Sequence, residues 1–149
     1  MTETVQANRR QQHITIASQT FPPEINGVAN TLRHLCQGLM QRGHRVTVIR
    51  PRQQHERKGN FAVAGEALFT REHVVTGLPL PGYADLRFGL ARTRHLKKLL
   101  ATDRPDALYV ATQGPLVFAA TSAAHQIRPP VPSCLHPTLP TYRRHYLAC

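Results

Sequence analysis

The chain has 149 residues, of which 41% are hydrophobic and 18% are charged. This composition is typical of one globular domain with a single core, and it excludes a disordered protein. Lysine and arginine number 19 against 8 acidic residues, a net charge of +11. Such an excess either maintains solubility or indicates an anionic partner: a phosphorylated small molecule, an anionic membrane surface or nucleic acid.

The first predicted unit is a βαβ unit, whose two strands are parallel. A β-branched run over residues 13–18 predicts a strand, and a stiff proline-containing loop follows it. Apolar residues at positions 28, 32, 35, 36 and 39 then predict one face of a helix, which Gly43 ends. Residues 45–49 predict the second strand.

The second half of the chain predicts further strands and helices in alternation. In order, these are a strand at 73–76, a rigid loop at 77–82, a basic helix at 87–102, a buried central strand at 107–111, a helix at 116–126 and a strand at 131–135. This alternation predicts an α/β fold with an open, doubly wound, mostly parallel Rossmann-like sheet.

The cysteines and the amino terminus indicate the compartment. Cys36, Cys134 and Cys149 form an odd set without C-x-x-C spacing, which argues against a disulfide framework or a zinc site. Residues 1–12 are polar and predict a disordered tail rather than a signal peptide, and no run is long enough to span a membrane. We expect a cytoplasmic protein, peripheral at most at the inner face of the plasma membrane.

Three features follow predicted strands, at the edge where ligands bind in such sheets. Asn26 and Gly27 form a turn before the first helix, whose dipole favours an anion there. Gln113 and Gly114 form a second turn, and His136 ends the last strand. Each residue has a structural alternative: a plain turn glycine, a helix cap, or a histidine bonded to a backbone carbonyl.

Other motifs narrow the function further. The chain has no G-x-G-x-x-G, G-x-x-x-x-G-K-[ST], H-E-x-x-H or G-x-S-x-G run, which argues against dinucleotide oxidoreductases, P-loop NTPases and common hydrolases. The basic stretch at 87–98 is either a solvated face or a contact for anionic lipid headgroups. Nucleic acid is the less favoured partner, because no aromatic residues are interleaved with the basic residues.

Several runs together resemble the amino-terminal domain of family 4 retaining glycosyltransferases. They include FPPEINGV at 21–28, LMQRGHRV at 39–46, LPLPGY at 78–83, ATQGPL at 111–116 and YRRHY at 142–146. The most similar subgroup is bacterial enzymes that transfer glucose or mannose, several of them onto membrane lipids. The resemblance implies one half of a GT-B fold: residues 13–149 would be the acceptor-side domain, apparently truncated before the donor domain.

The resemblance also implies a site. A UDP- or GDP-sugar is the donor substrate, a lipid or glycan is the acceptor, and neither a cofactor nor a metal is needed. Gly27 lets the loop approach the donor diphosphate, Asn26, Gln113 and Gly114 contribute to the same site, and His136 is the catalytic residue beside the transferred sugar. The family usually has glutamate at the position of Gln113 and a different run after His136.

Two further interpretations remain open. The chain is either part of an active hexosyltransferase or a catalytically incomplete remnant that binds a small ligand or an anionic membrane. Because the donor domain is not in these 149 residues, we expect the isolated polypeptide to be inactive in sugar transfer.

Overall fold

The computed structural model describes residues 10–22, 24–53 and 68–130. Its elements are β1 (His13–Ala17), α1 (Gly27–Gln41), β2 (Arg45–Pro51), β3 (Arg71–Leu80), β4 (Tyr83–Leu90), α2 (Thr93–Asp103), β5 (Ala107–Val110) and α3 (Pro115–Ile127). The strands form one sheet in the order β4-β3-β2-β1-β5, in which only the β3–β4 pair is antiparallel. This architecture confirms the predicted Rossmann-like α/β fold.

The predicted βαβ unit is present. β1 and β2 pair in parallel, with Ile14 opposite Val46, and α1 connects them. The helix ends in a Schellman motif: Gly43 N donates to Met40 O at 3.0 Å, and His44 N donates to Leu39 O at 3.1 Å. The prediction that Gly43 ends this helix is therefore confirmed.

Helices cover both faces of the sheet. The face toward α1 is packed by Ile16, Val46 and Val48 with Leu32 and Cys36 from the helix. Cys36 is fully buried, and this burial raises the pKa of its thiol to about 12, as expected of a core residue. A separate cluster joins α2 and α3 to the opposite face.

The segment between β3 and α2 differs from the sequence prediction. Residues 77–80, predicted as a loop, form the second half of β3, and residues 87–90, predicted as helix, belong to β4. Pro79 is tolerated because β2 ends its pairing with β3 at Val75, so this half of β3 has only β4 as a neighbour. α2 therefore begins only at Thr93.

The strand predicted as central, β5, is buried only on alternate residues. Leu108 and Val110 are buried, whereas Ala107 and Tyr109 are half-buried. The predicted last strand, its His136, Cys134, Cys149 and most of the predicted tail lie outside the described residues.

Candidate functional site

The loop after β1 is anchored in the core by an aromatic side chain. Phe21 is fully buried, and its ring lies 6.3 Å from the ring of Phe69 at an interplanar angle of 54°. Ser18 Oγ donates to Thr20 O at 2.6 Å and fixes the beginning of the loop. The loop is therefore held rigidly at the carboxyl end of β1, between the sheet and α1.

Asn26 and Gly27 lie at the N-terminus of α1. Asn26 Oδ1 accepts a hydrogen bond from Ala29 N at 2.8 Å, and Asn26 Nδ2 donates to Thr20 Oγ1 at 2.7 Å and to Glu24 Oε2 at 3.2 Å. The amide of Asn26 is thus committed to capping the helix and bracing the loop.

Gly27 is the first residue of α1 and has no need for positive φ. Among the described glycines, positive φ occurs at Gly43, Gly82 and Gly114 and not at Gly27. A Cβ on Gly27 would meet no atom within 4 Å. The space in front of this helix N-terminus is open, which is the geometry that an approaching anion requires.

The turn before α3 needs glycine for both conformation and space. Gly114 has φ +151° and precedes Pro115, the first residue of the helix. A Cβ at position 114 would lie 2.3 Å from Gln19 Nε2. Gln113 is exposed beside it, and no side chain caps the helix. The interpretation of Gln113 as a side-chain cap of α3 is therefore wrong.

Gln19 was not among the residues singled out from the sequence, yet it connects three segments. Its backbone N donates to Thr112 Oγ1 at 2.8 Å, and its Oε1 accepts from Gly89 N at 2.6 Å. Its Nε2 is buried without a partner. The only indication of this role in the sequence is that a polar residue directly follows an apolar strand.

The two predicted turns lie side by side. β1 pairs with β5, with Ala17 opposite Val110, and Ala111 N donates to Ala17 O at 3.3 Å. The chain runs from β1 to β2 on one side and places β5 on the other, so this boundary is the topological switch point where ligands bind. The structure thus brings Gly27 and Gly114 to one edge.

The same edge continues across β2 and β3. Gln53 Nε2 donates to Glu24 Oε1 at 2.5 Å, which ties the segment after β2 to the loop before α1. Arg52 N donates to Val75 O at 3.0 Å. On the far side, Arg87 Nη1 donates to Gly77 O at 3.2 Å.

In the part of the chain that the structure describes, no three histidine, cysteine, aspartate or glutamate side chains are grouped so that they could hold a metal ion. Among the same residues, no helix is both long enough and apolar enough to cross a membrane.

The fold and the site define a Rossmann-like domain in which the N-termini of α1 and α3 follow neighbouring strands at one edge of the sheet. The profile described as Glycosyltransferase Family 4 matches residues 25–148. The chain therefore belongs to glycosyltransferase family 4. It is also 25% identical over 134 residues to a "GDP-mannose-dependent alpha-mannosyltransferase" of Mycobacterium tuberculosis. That alignment covers 89% of this chain and 34% of the relative, so the chain spans about a third of the relative's length.

Proposed function

We propose that this chain forms the acceptor side of a glycosyltransferase that transfers a hexosyl group, with retention, from a nucleotide-diphosphate sugar to a lipid or glycan acceptor. The family match over residues 25–148 carries this proposal, because it includes both turns of the carboxyl edge. The name of the M. tuberculosis relative favours GDP-mannose as the donor.

The geometry of the described residues supports a distinct part for four of the proposed site residues. Asn26 caps α1 and braces the loop, and Gly27 leaves the helix N-terminus open to a donor diphosphate. Gly114 allows close packing of the turn against Gln19, and exposed Gln113 is available to a substrate hydroxyl. His136 remains the proposed catalytic residue beside the transferred sugar.

The experiment is a disruption of the coding sequence in its source organism, with glycolipids and glycans compared by mass spectrometry. We expect one product to lose a hexose, and we expect the wild-type sequence to restore it. An unchanged set of glycans and glycolipids would contradict the proposal and favour the remnant interpretation.

A second proposal is that the domain contacts an anionic membrane at the inner face of the plasma membrane. Leu78 lies opposite Phe88 in the β3–β4 ladder, and Leu90 lies on the same face. These side chains are 47%, 36% and 43% exposed, respectively. The next element along the chain, α2, exposes a set of basic side chains: Arg94, His95, Lys97 and Lys98.

A groove of about 650 Å³ adjoins this apolar patch and contains Leu90 and Arg92. An apolar surface flanked by cations fits the boundary between acyl chains and anionic headgroups. We expect the chain to sediment with anionic vesicles, and we expect Leu78→Ser with Phe88→Ser to weaken this. Equal sedimentation with neutral vesicles would contradict the electrostatic part of the proposal.

A further inference from the structure

Two arginines meet at Gly77 in β3. Arg87 Nη1 donates to Gly77 O at 3.2 Å. The Arg52 carbonyl oxygen would lie 2.3 Å from a Cβ at Gly77, so the backbone at Arg52 is packed directly against that glycine. Gly77 therefore joins the end of β2 to β4 at the carboxyl edge of the sheet.

The Arg87 side chain and the Arg52 backbone lie on the same face of the sheet. Gly77 and Gly89 are directly opposite each other, and Arg87 lies two residues before Gly89 on β4. Side chains two residues apart on a strand leave the same face, so Arg87 leaves the face on which the Arg52 backbone lies.

No described carboxylate neutralises either guanidinium. The ion pairs that the structure describes join Arg50 to Glu72 and join Arg71 and His73 to Asp103. The remaining described carboxylates also have other partners. Glu24 accepts from Thr20, Asn26 and Gln53, and Asp106 accepts from the backbone N of His13.

The Nε atoms of Arg52 and Arg87 are both buried, and neither has a hydrogen-bond partner. Both side chains are only partly buried as a whole. A guanidinium that has lost water at one nitrogen, without a compensating carboxylate, is best satisfied by an external oxyanion. Arginine also binds phosphate and carboxylate with a planar fork of donors.

The location separates this site from the switch point. The switch point lies between β1 and β5, whereas Gly77 is on β3, two strands beyond β1. Strands are about 4.8 Å apart, so the arginines lie roughly 10 Å from the place where a donor diphosphate would bind. An anion here would therefore be separate from the donor diphosphate.

We propose that Arg52 and Arg87 together bind an anionic group, a phosphate or a carboxylate, carried by the acceptor. The assignment of this anion to the acceptor rests on the proposed function, whereas the anion site itself follows from the arginine geometry. It narrows the acceptor from any lipid or glycan to an anionic one.

The test is an NMR titration of the ¹⁵N-labelled chain with inorganic phosphate and, separately, with acetate, at constant ionic strength. We expect the Nε–Hε signals of Arg52 and Arg87 to shift together and to saturate, while that of exposed Arg42 at the end of α1 moves little. The probe that binds more tightly, phosphate or acetate, identifies the anionic group as a phosphate or a carboxylate. If neither probe gives saturable shifts at both arginines, the proposal is wrong.

Variants make the assignment specific. We expect Arg52→Gln and Arg87→Gln each to weaken binding of the tighter probe about tenfold or more, and Arg42→Gln to leave it nearly unchanged. Arg87→Lys retains the charge but not the fork, so its effect should be intermediate. Equal weakening by Arg42→Gln would show only general attraction to a basic protein and would overturn the proposal. If a glutamine variant does not fold, the wild-type titration decides alone.

A third titration, with GDP, distinguishes the acceptor from the donor. We expect GDP to perturb the backbone amides of Gly27 and Val28 more than the two arginine signals. Stronger saturation of the arginine signals by GDP than by phosphate would overturn the acceptor assignment. The titrations do not require enzyme activity. If an anion binds at the two arginines but disruption of the coding sequence removes no hexose from any product, the proposed function is refuted and the anion site remains.

Discussion

Polar groups at the two edges of the sheet differ in whether they have hydrogen-bond partners within the protein. At the amino edge, the His13 ring lies 2.7 Å from Thr47 Oγ1 and 3.1 Å from Asp103 O. The Asp103 carboxylate in turn accepts from Arg71 at 2.5 Å and lies 3.1 Å from His73. These groups are partnered within the protein, which is the pattern of a stabilising network.

At the carboxyl edge, several polar groups lack such partners. Gln19 Nε2, Arg52 Nε and Arg87 Nε are buried without hydrogen bonds, and the helix N-terminus at Gly27 faces open space. Leaving buried donors unsatisfied costs stability, roughly 1–3 kcal/mol for each group. The contrast teaches that one edge partners its polar groups within the fold, while the other leaves buried donors unsatisfied, which is what the proposed ligand site requires.

The largest expected effect is that of Gly114→Ala at the carboxyl edge. The added methyl would collide with Gln19, and alanine disfavours φ +151°. Together, backbone strain and overpacking should cost about 2–5 kcal/mol in the free energy of unfolding, as measured by urea denaturation. A midpoint equal to that of the wild type would show that Gln19 is not held against this turn.

Asp103→Asn should have the next largest effect, at the amino edge. Asp103 is almost fully buried, and its replacement removes the charge that partners Arg71 and His73. Because Arg71 is largely exposed, we expect a modest loss of about 1–3 kcal/mol in thermal or urea unfolding. Phosphate binding by the variant should equal that of the wild type, and weakened binding would contradict the separation of the two edges.

The amino edge should also make stability depend on pH. Burial, followed by the nearby charge of Arg45, lowers the pKa of His13 below 6.5. The unfolded chain therefore takes up a proton before the folded chain does. The contribution of His13 is complete above pH 6.5 and decreases as the pH falls toward the folded pKa.

The measurement for His13 is the unfolding free energy as a function of pH, which should change by at most about 1.4 kcal/mol per pH unit from this group. His13→Asn should flatten the profile between the two pKa values. An equally steep profile in that variant would assign the dependence to other groups.

The smallest effect on stability should come from Gly27→Ala. A Cβ has open space there and the position is helical, so the variant should lie within about 1 kcal/mol of the wild type. The same methyl would occupy the approach to the helix N-terminus. We therefore expect the variant to fail to restore the hexose-containing product in disrupted cells, and full restoration would remove Gly27 from the donor site.

Local signals predicted most of the fold. The β-branched strands, the apolar stripe of α1 and the cap at Gly43 act within a few residues, so the sequence reveals them. The β3–β4 hairpin was missed because prolines and glycines at 77–82 indicate a loop, and because tolerance of Pro79 depends on where β2 ends.

The site was only partly predictable for a related reason. Gly27 and Gly114 follow strands and were singled out, since position after a strand is visible in the sequence. Gln19 contacts Gly89, and Arg52 contacts Gly77, across separations that no local pattern encodes. Such contacts depend on the strand order, which becomes known only from the assembled sheet.

One measurement tests most directly whether the carboxyl edge is the ligand edge: backbone amide shifts of the chain during titration with GDP-mannose and inorganic phosphate. The account predicts that perturbed amides cluster at Gly27, at the turn before α3 and near Arg52 and Gly77. A cluster around His13 and Asp103 at the amino edge, with the carboxyl edge unperturbed, would contradict it.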